Sequence, residues 1–229
     1  MNTEKITDKI KHMLAIAHDP SASEAEREQA MNKAHSLMLK HGLEVAHEDH
    51  TSGGAQYGHR KIFIKGVYAE AQAQMMYYVA LAYKSYDMVM SKLPGTSSID
   101  LYIAGPEEQM DQVMKILESL IDQSTTERKA WASVNLKGLP RNEQKKQIKS
   151  FYLGYGNKVA NRIEAILEAE AHTEDRQALV LVKEKASGYL DEMLNVNRDK
   201  KQRSRQVVGS AFVVGSMAGE RAQLHDQLA

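Results

Sequence analysis

Side chains suited to metal binding or acid–base chemistry are concentrated in one stretch, KAHSLMLKHGLEVAHEDH, which spans residues 33–50. Imidazole nitrogens and carboxylate oxygens bind zinc and transfer protons, so such a cluster raises the question of a metal centre or a catalytic site. The cluster comprises His35, His41, Glu44, His47, Glu48, Asp49 and His50. Whether these side chains can act together depends on the elements that carry them.

The spacing of these histidines argues against a shared site. His35 and His41 are six residues apart, which separates them by about 240° around an α-helix. We interpret both as residues of one helix, with His41 in the last turn, where a positive charge interacts favourably with the helix dipole. The HEDH segment of His47 and His50 is one residue too short for the zinc-protease pattern. The sequence therefore predicts no metal site, although weak binding at His47 and His50 stays an open alternative.

Other catalytic patterns are also missing from the sequence. The chain has no cysteine, which excludes disulfides, thiolate zinc sites and cysteine nucleophiles. It contains no Walker loop, dinucleotide fingerprint or nucleophile elbow. Asp100, with Glu107 and Glu108 beyond it, could hold magnesium as in a metal-dependent nuclease, but the two glutamates are better explained as first-turn residues of a helix. We predict no catalytic residues and no cofactor, and keep a nuclease as the least favoured alternative.

Two clusters of basic side chains indicate phosphate binding instead. The whole chain is balanced, with 30 basic and 30 acidic residues, whereas residues 137–149 and 198–205 each hold five basic residues and one acidic residue. Clustered cations neutralise phosphates and bind nucleic acid without sequence preference. Tyr152 and Tyr155 lie beside the first cluster and could stack on bases, unless they belong to the core. The candidate nucleic-acid-binding residues are Lys137, Arg141, Lys145, Lys146 and Lys149 of the first basic run, and Arg198, Lys200, Lys201, Arg203 and Arg205 of the second basic run.

The elements that position these residues follow from apolar periodicity and from chain breakers. Near the N-terminus, apolar residues at spacings of three and four predict a helix that stops at residues 19–21. Ser23 and Glu26 form the pattern of a capping box at the start of a second helix, and Gly42 suits the C-terminal cap of that helix. Residues 3–42 are thus predicted to form a helical hairpin.

The middle of the chain predicts a small α+β unit. Residues 51–58 are rich in glycine and serine and predict a linker, after which residues 61–66 alternate as in a strand. Residues 68–84 show helical spacing, and two alternating segments flank residues 93–96 as in a β-hairpin. Pro106 is expected at the first position of a helix that runs towards Trp131.

The last third of the chain predicts long helices. An apolar stripe predicts a helix from about residue 141 to residue 171, whereas residues 178–182, ALVLV, fit either a strand or a helix start. The final segment is predicted to be a helix with several glycines, each of which costs about 1 kcal/mol relative to alanine. Because Gly215 and Gly219 are four residues apart on one face, we expect that face to pack closely against the helix that carries Gly154.

Together these elements predict an α+β protein that is mainly helical. It comprises an N-terminal helical hairpin (residues 1–50), a central α+β unit with a small antiparallel sheet and flanking helices (59–136), and a helical C-terminal region (137–229). The N-terminus has no signal-like apolar core, and no apolar run is long enough to span a bilayer. A cytoplasmic location is expected.

Residues 9–43, KIKHMLAIAHDPSASEAEREQAMNKAHSLMLKHGL, resemble the N-terminal helical hairpin of an uncharacterised family of bacterial and phage proteins. The shared features are the Lys-Ile start, the helix-breaking proline, the capping box and the closing His-Gly-Leu, while Met13 stands where leucine is common. Residues 149–163 and 209–224 are similar, more loosely, to a later helix and a C-terminal glycine-rich helix of that family. The resemblance implies this architecture and a phage or prophage setting, but no activity.

The expected function is that of a non-enzymatic phage or prophage accessory protein that contacts DNA or RNA through its two basic runs. The alternative is an adaptor or host-modulating protein that binds a host or phage protein and has no nucleic-acid role. A homo-oligomer is compatible with the sequence, and no membrane association is expected.

Overall fold

The computed structural model describes residues 56–170, 173–195 and 207–222, with the backbone alone at 170 and 173–177. It also describes residues 8–10, 12–13, 15–16, 19, 21–23, 25–27, 29–30, 33–34 and 36–37. The elements are β1 (Tyr57–Ile64), α1 (Ala69–Ala82), β2 (Asp87–Lys92), β3 (Ile99–Pro106), a 3-10 turn (Glu107–Gln109), α2 (Met110–Asn135), α3 (Arg141–Glu170), α4 (Thr173–Leu194) and α5 (Gly209–Arg221). The predicted fold class, mainly helical with a small antiparallel sheet and flanking helices, is confirmed.

The described sheet has three strands in the order β1-β3-β2, and both outer strands run antiparallel to β3. The predicted β2–β3 hairpin is confirmed, with Gly95 at φ +72° in its turn, a conformation that favours glycine. β1 begins four residues earlier than predicted, inside the expected linker, because Tyr57 and Gly58 pair with the last two residues of β3. The Glu107 carboxylate lies over Gly58, in the space that a Cβ at this position would occupy.

Alternating residues of β3 face two different layers of helices. Leu101 and Ile103 are buried in the main core with residues of α1, α2 and α3. Ala104, on the opposite face, packs with Ala186 and Leu190 of α4. The ALVLV segment, for which the sequence left a strand or a helix open, is therefore helical, because α4 covers the second face of the sheet.

Pro106 is not the first residue of a helix, so this prediction is wrong. It ends β3 with φ −58° and ψ 124°, and the α-helix begins only at Met110, after the 3-10 turn. The strand continues through Pro106 because that residue still pairs with Tyr57, and the next N–H, that of Glu107, donates to Gln56 O at 3.0 Å.

The helix α3 forms the centre of the molecule, and α5 packs directly on it through glycine. A Cβ at Gly154 would overlap the Phe212 carbonyl of α5, and a Cβ at Gly215 would overlap the Phe151 carbonyl of α3. Gly219 likewise lies against Tyr155 O. The predicted close approach of these two helices is confirmed. α1 approaches α3 in a similar way, with Met75 against Gly156.

The described residues between 8 and 37 are helical on both sides of a turn in which the Ala22 N–H donates to Asp19 O at 3.0 Å. The capping box is present: Ser23 N–H donates to Glu26 Oε2 at 2.9 Å, and Glu26 N–H donates to Ser23 Oγ at 3.3 Å. Ile10, Ala30 and Ala34 are buried in the same cluster as the main core. One cluster of buried side chains therefore includes residues from all three predicted segments of the chain.

Candidate nucleic-acid interface

The first basic run lies on the N-terminal turns of α3 and on the loop before it. Arg141, Lys145 and Lys149 follow one another at intervals of four residues, which places them on one face of the helix. Lys137 lies in the loop between α2 and α3, and Lys146 follows Lys145. All five side chains are exposed, whereas residues 150–156 of α3 are buried. The exposed basic turns thus adjoin the buried centre of the same helix.

Little acidic charge from the described residues opposes this surface. Lys146 Nζ lies 3.6 Å from a carboxylate oxygen of Glu143, one turn earlier. Within the described ranges, the other four basic side chains of the run form no ion pair. Exposed cations of this kind can bind phosphates without first giving up an intramolecular partner.

The second basic run, with Arg198, Lys200, Lys201, Arg203 and Arg205, lies outside the described residues. The described chain resumes at Val207, and the Val208 N–H donates a hydrogen bond to Ser150 Oγ at 2.9 Å. Ser150 directly follows Lys149 of the first basic run. Arg205, the last residue of the second run, is three positions before Val208 in the sequence, and Val208 contacts α3 beside the first run.

Ser150 is a positioning residue that the sequence analysis missed. It is 1% exposed, and its hydroxyl donates to Lys146 O at 2.9 Å while it accepts from Val208. A signal was present in the sequence, because Ser150 lies next to Phe151 on the apolar side of a long predicted helix. A buried hydroxyl on such a stripe requires a hydrogen-bond partner from a neighbouring element.

Tyr152 and Tyr155 do not belong to this surface, so the suggestion that they stack on bases is wrong. Both rings are fully buried at 0% exposure. Tyr152 Oη lies 3.3 Å from Thr125 Oγ1, and Tyr155 stacks on Phe151, which in turn stacks on Trp131. These rings belong to the core, the other interpretation that the sequence allowed.

Two of the three carboxylates considered for a magnesium site, Asp100 and Glu107, are paired with cations of β1. Lys61 Nζ lies 2.8 Å from Asp100 Oδ2, and this hydrogen bond raises the pKa of Lys61. Arg60 Nη2 lies 2.8 Å from Glu107 Oε1 and 2.9 Å from Asp111 Oδ1. Asp100 and Glu107 thus serve different ion pairs, and Arg60 joins β1 to the start of α2.

Histidine and carboxylate side chains do not gather into a metal-binding group of three or more anywhere in the described part of the chain. His47 and His50 lie outside that part. Among the helices that are described, none is long and apolar enough to cross a membrane.

Comparison with known proteins gives one family match. Residues 5–45 match the model of a family described as "Protein of unknown function (DUF2786)". No curated protein and no solved structure matches this chain. The match covers the segment in which the capping box and the buried residues Ile10, Ala30 and Ala34 lie, so the N-terminal region of the chain is similar to a domain of unknown function.

Proposed function

We propose that this protein is a non-enzymatic accessory protein that contacts the phosphates of DNA or RNA through its first and second basic runs. The observation that carries the proposal is the group of five exposed cations on the first turns of α3 and the loop before it, four of which have no ion-pair partner among the described residues. The hydrogen bond from Val208 to Ser150 supports joint use of both runs. A combined surface neutralises more phosphates, and therefore binds more tightly, than either run alone.

The proposed setting is the cytoplasm of a bacterium that carries a phage or prophage. Its support is the resemblance of residues 9–43 to a helical hairpin of bacterial and phage proteins. Residues 1–50 hold six basic and nine acidic residues, a charge balance opposite in sign to that of the basic runs.

The test is fluorescence anisotropy with labelled single-stranded DNA, duplex DNA and RNA over a range of salt concentrations. We expect binding to weaken steeply as salt rises. A variant that neutralises the first basic run should bind all three nucleic acids more weakly, and its salt slope on duplex DNA should be flatter by roughly 0.9 for each phosphate that it no longer neutralises. The variant carries Lys137→Gln, Arg141→Gln, Lys145→Gln and Lys149→Gln.

A matched control removes the same number of positive charges from exposed positions elsewhere, namely Lys65, Lys92, Lys115 and Lys185, each changed to Gln. The control should retain most of the affinity of the wild type for nucleic acid and should show a similar dependence of binding on salt. An equal loss of nucleic-acid affinity in both variants would mean that only net charge matters, and would contradict binding at a specific surface.

A third variant tests the second basic run. It carries Lys200→Ser, Lys201→Ser, Arg203→Ser and Arg205→Ser, and its salt slope should also be flatter than that of the wild type.

The second candidate function is a protein-binding adaptor. It is favoured by Val213 and Met217, which lie four residues apart on α5 and are 56% and 57% exposed, since an exposed apolar pair on a helix is a common element of protein interfaces. Absence of nucleic-acid binding at low salt would exclude the leading proposal and leave this one.

A further inference from the structure

A second site is suggested by a cavity that lies away from the basic runs, between α1, α3 and α4. Its volume is about 290 Å³, at the lower end of the range for small-molecule sites. Three apolar residues, Leu81, Ala82 and Ala160, form part of the lining, and the remaining lining side chains are polar. A small ligand with both an apolar body and a polar head fits such a lining.

Three side chains from three helices offer hydrogen-bond donors to this cavity. Tyr78 of α1 accepts a hydrogen bond from Gln74 Nε2 at 2.9 Å, which leaves the phenol proton for another acceptor. Asn157 of α3 uses its Oδ1 to accept from Asn161 at 3.4 Å, so its amide N–H groups are not used in that bond. Lys183 of α4 is partly buried and forms no ion pair with a described residue.

The acidic side chain in the cavity wall is already neutralised. Glu164 of α3 forms an ion pair with Lys84, which lies just after α1. Lys84 adopts φ +60°, a left-handed conformation that is uncommon for a lysine. Because Lys84 satisfies Glu164, the positive charge of Lys183 is not cancelled by the described residues that line the cavity.

We propose that this cavity binds a small oxyanion, a phosphate or carboxylate group carried by a small organic molecule. An oxyanion accepts several hydrogen bonds at once, which matches a tyrosine proton, an amide N–H and an ammonium group around one space. It also supplies a counter-charge to Lys183, which has no ion-pair partner among the described residues. This site is independent of the proposed nucleic-acid surface, and neither requires the other.

Isothermal titration calorimetry on the full chain tests the site, with inorganic phosphate, ribose 5-phosphate and succinate as probes at constant ionic strength. We expect at least one probe to bind, and the binding probe identifies the head group as phosphate or carboxylate. Lys183→Gln should weaken that binding about tenfold or more, and Tyr78→Phe should weaken it by a smaller factor.

The matched control is Lys185→Gln, which removes an exposed lysine two residues away on the same helix and should bind as the wild type does. Unchanged melting temperatures show that the variants are folded. The proposal is overturned if no probe binds, or if Lys183→Gln and Lys185→Gln weaken binding equally. Lys183→Gln should bind DNA like the wild type, so the outcome for this cavity is separable from that for the basic runs.

Discussion

Individual glycines decide how closely the two central helices approach. Gly154 and Gly215 replace side-chain contact between α3 and α5 with direct backbone contact, and Ser216 Oγ adds a hydrogen bond to Gly154 O at 3.3 Å. Glycine within a helix costs about 1 kcal/mol relative to alanine. The close packing of α5 on α3 offsets that cost, because dispersion contacts increase as the helices come together.

Gly215→Ala and Gly188→Ala should have opposite effects on stability. The methyl group at 215 would overlap the Phe151 carbonyl and force α5 away from α3, whereas the methyl group at 188 would meet open space. We expect the first variant to lower the free energy of unfolding by about 1–3 kcal/mol and the second to raise it by up to about 1 kcal/mol. Urea denaturation measures both. Undiminished stability in Gly215→Ala would contradict the packing account.

A single buried hydroxyl also has a testable cost. Tyr155 Oη is buried and has no hydrogen-bond partner among the described residues, and burial raises the pKa of this phenol above its ordinary value. Removal of an unsatisfied buried hydroxyl is neutral or stabilising. Tyr155→Phe should therefore keep or increase the free energy of unfolding at pH 7 in the same urea titration, and a clear loss would show that the hydroxyl has a partner in solution.

At the scale of elements, the basic surface depends on how α3 and α5 are joined. α3 is buried over residues 150–156 and exposed over its first turns, so one helix serves as both core and surface. The first N–H groups of a helix have no partner within the helix itself. At the start of α5, Ser150 of α3 supplies the acceptor for the preceding residue, Val208.

Ser150→Ala should weaken this junction. The change removes the acceptor of the partly buried Val208 N–H. Because a hydrogen bond contributes about 0.5–1.5 kcal/mol, the free energy of unfolding should fall by about that amount. Ser133→Ala is the matched control, because that serine is exposed and bonds only its own helix. If both runs act together, Ser150→Ala should also weaken DNA binding in fluorescence anisotropy, with Ser133→Ala unchanged.

At the scale of the whole molecule, buried tyrosines link the stability of the fold to alkaline pH. Burial raises the pKa of Tyr83, Tyr86 and Tyr155 above the ordinary value for a phenol. In the unfolded chain these phenols titrate near pH 10. Above that pH the folded state holds more protons than the unfolded state, so stability falls as pH rises.

We expect the free energy of unfolding to be insensitive to these groups well below pH 10 and to fall as pH rises through 10, with a slope that approaches about 1.4 kcal/mol per pH unit for each tyrosine. Urea midpoints between pH 8 and pH 11 measure the slope. Tyr155→Phe removes one of the three phenols and should make the decline shallower by the contribution of one tyrosine. An identical decline in that variant would show that Tyr155 does not titrate with folding.

Much of the element order followed from local patterns in the sequence. Helical periodicity predicted α3 to within a residue or two at each end, and the turn at Gly95 predicted the β2–β3 hairpin. The early start of β1 and the late start of α2 did not follow, because both result from one tertiary pairing, that of Tyr57 with Pro106. Local preferences had predicted a linker at Tyr57 and a helix start at Pro106.

The sequence alone determined which side chains of the first basic run share a helix face, because a spacing of four residues has that consequence in any α-helix. It also indicated the close approach at Gly215. Only the tertiary structure decided that Tyr152 and Tyr155 are core residues, since an aromatic side chain next to lysines is equally compatible with stacking and with burial. Only the tertiary structure joined Val208 to Ser150, which are 58 residues apart, because contacts between distant segments depend on how helices pack and not on local periodicity.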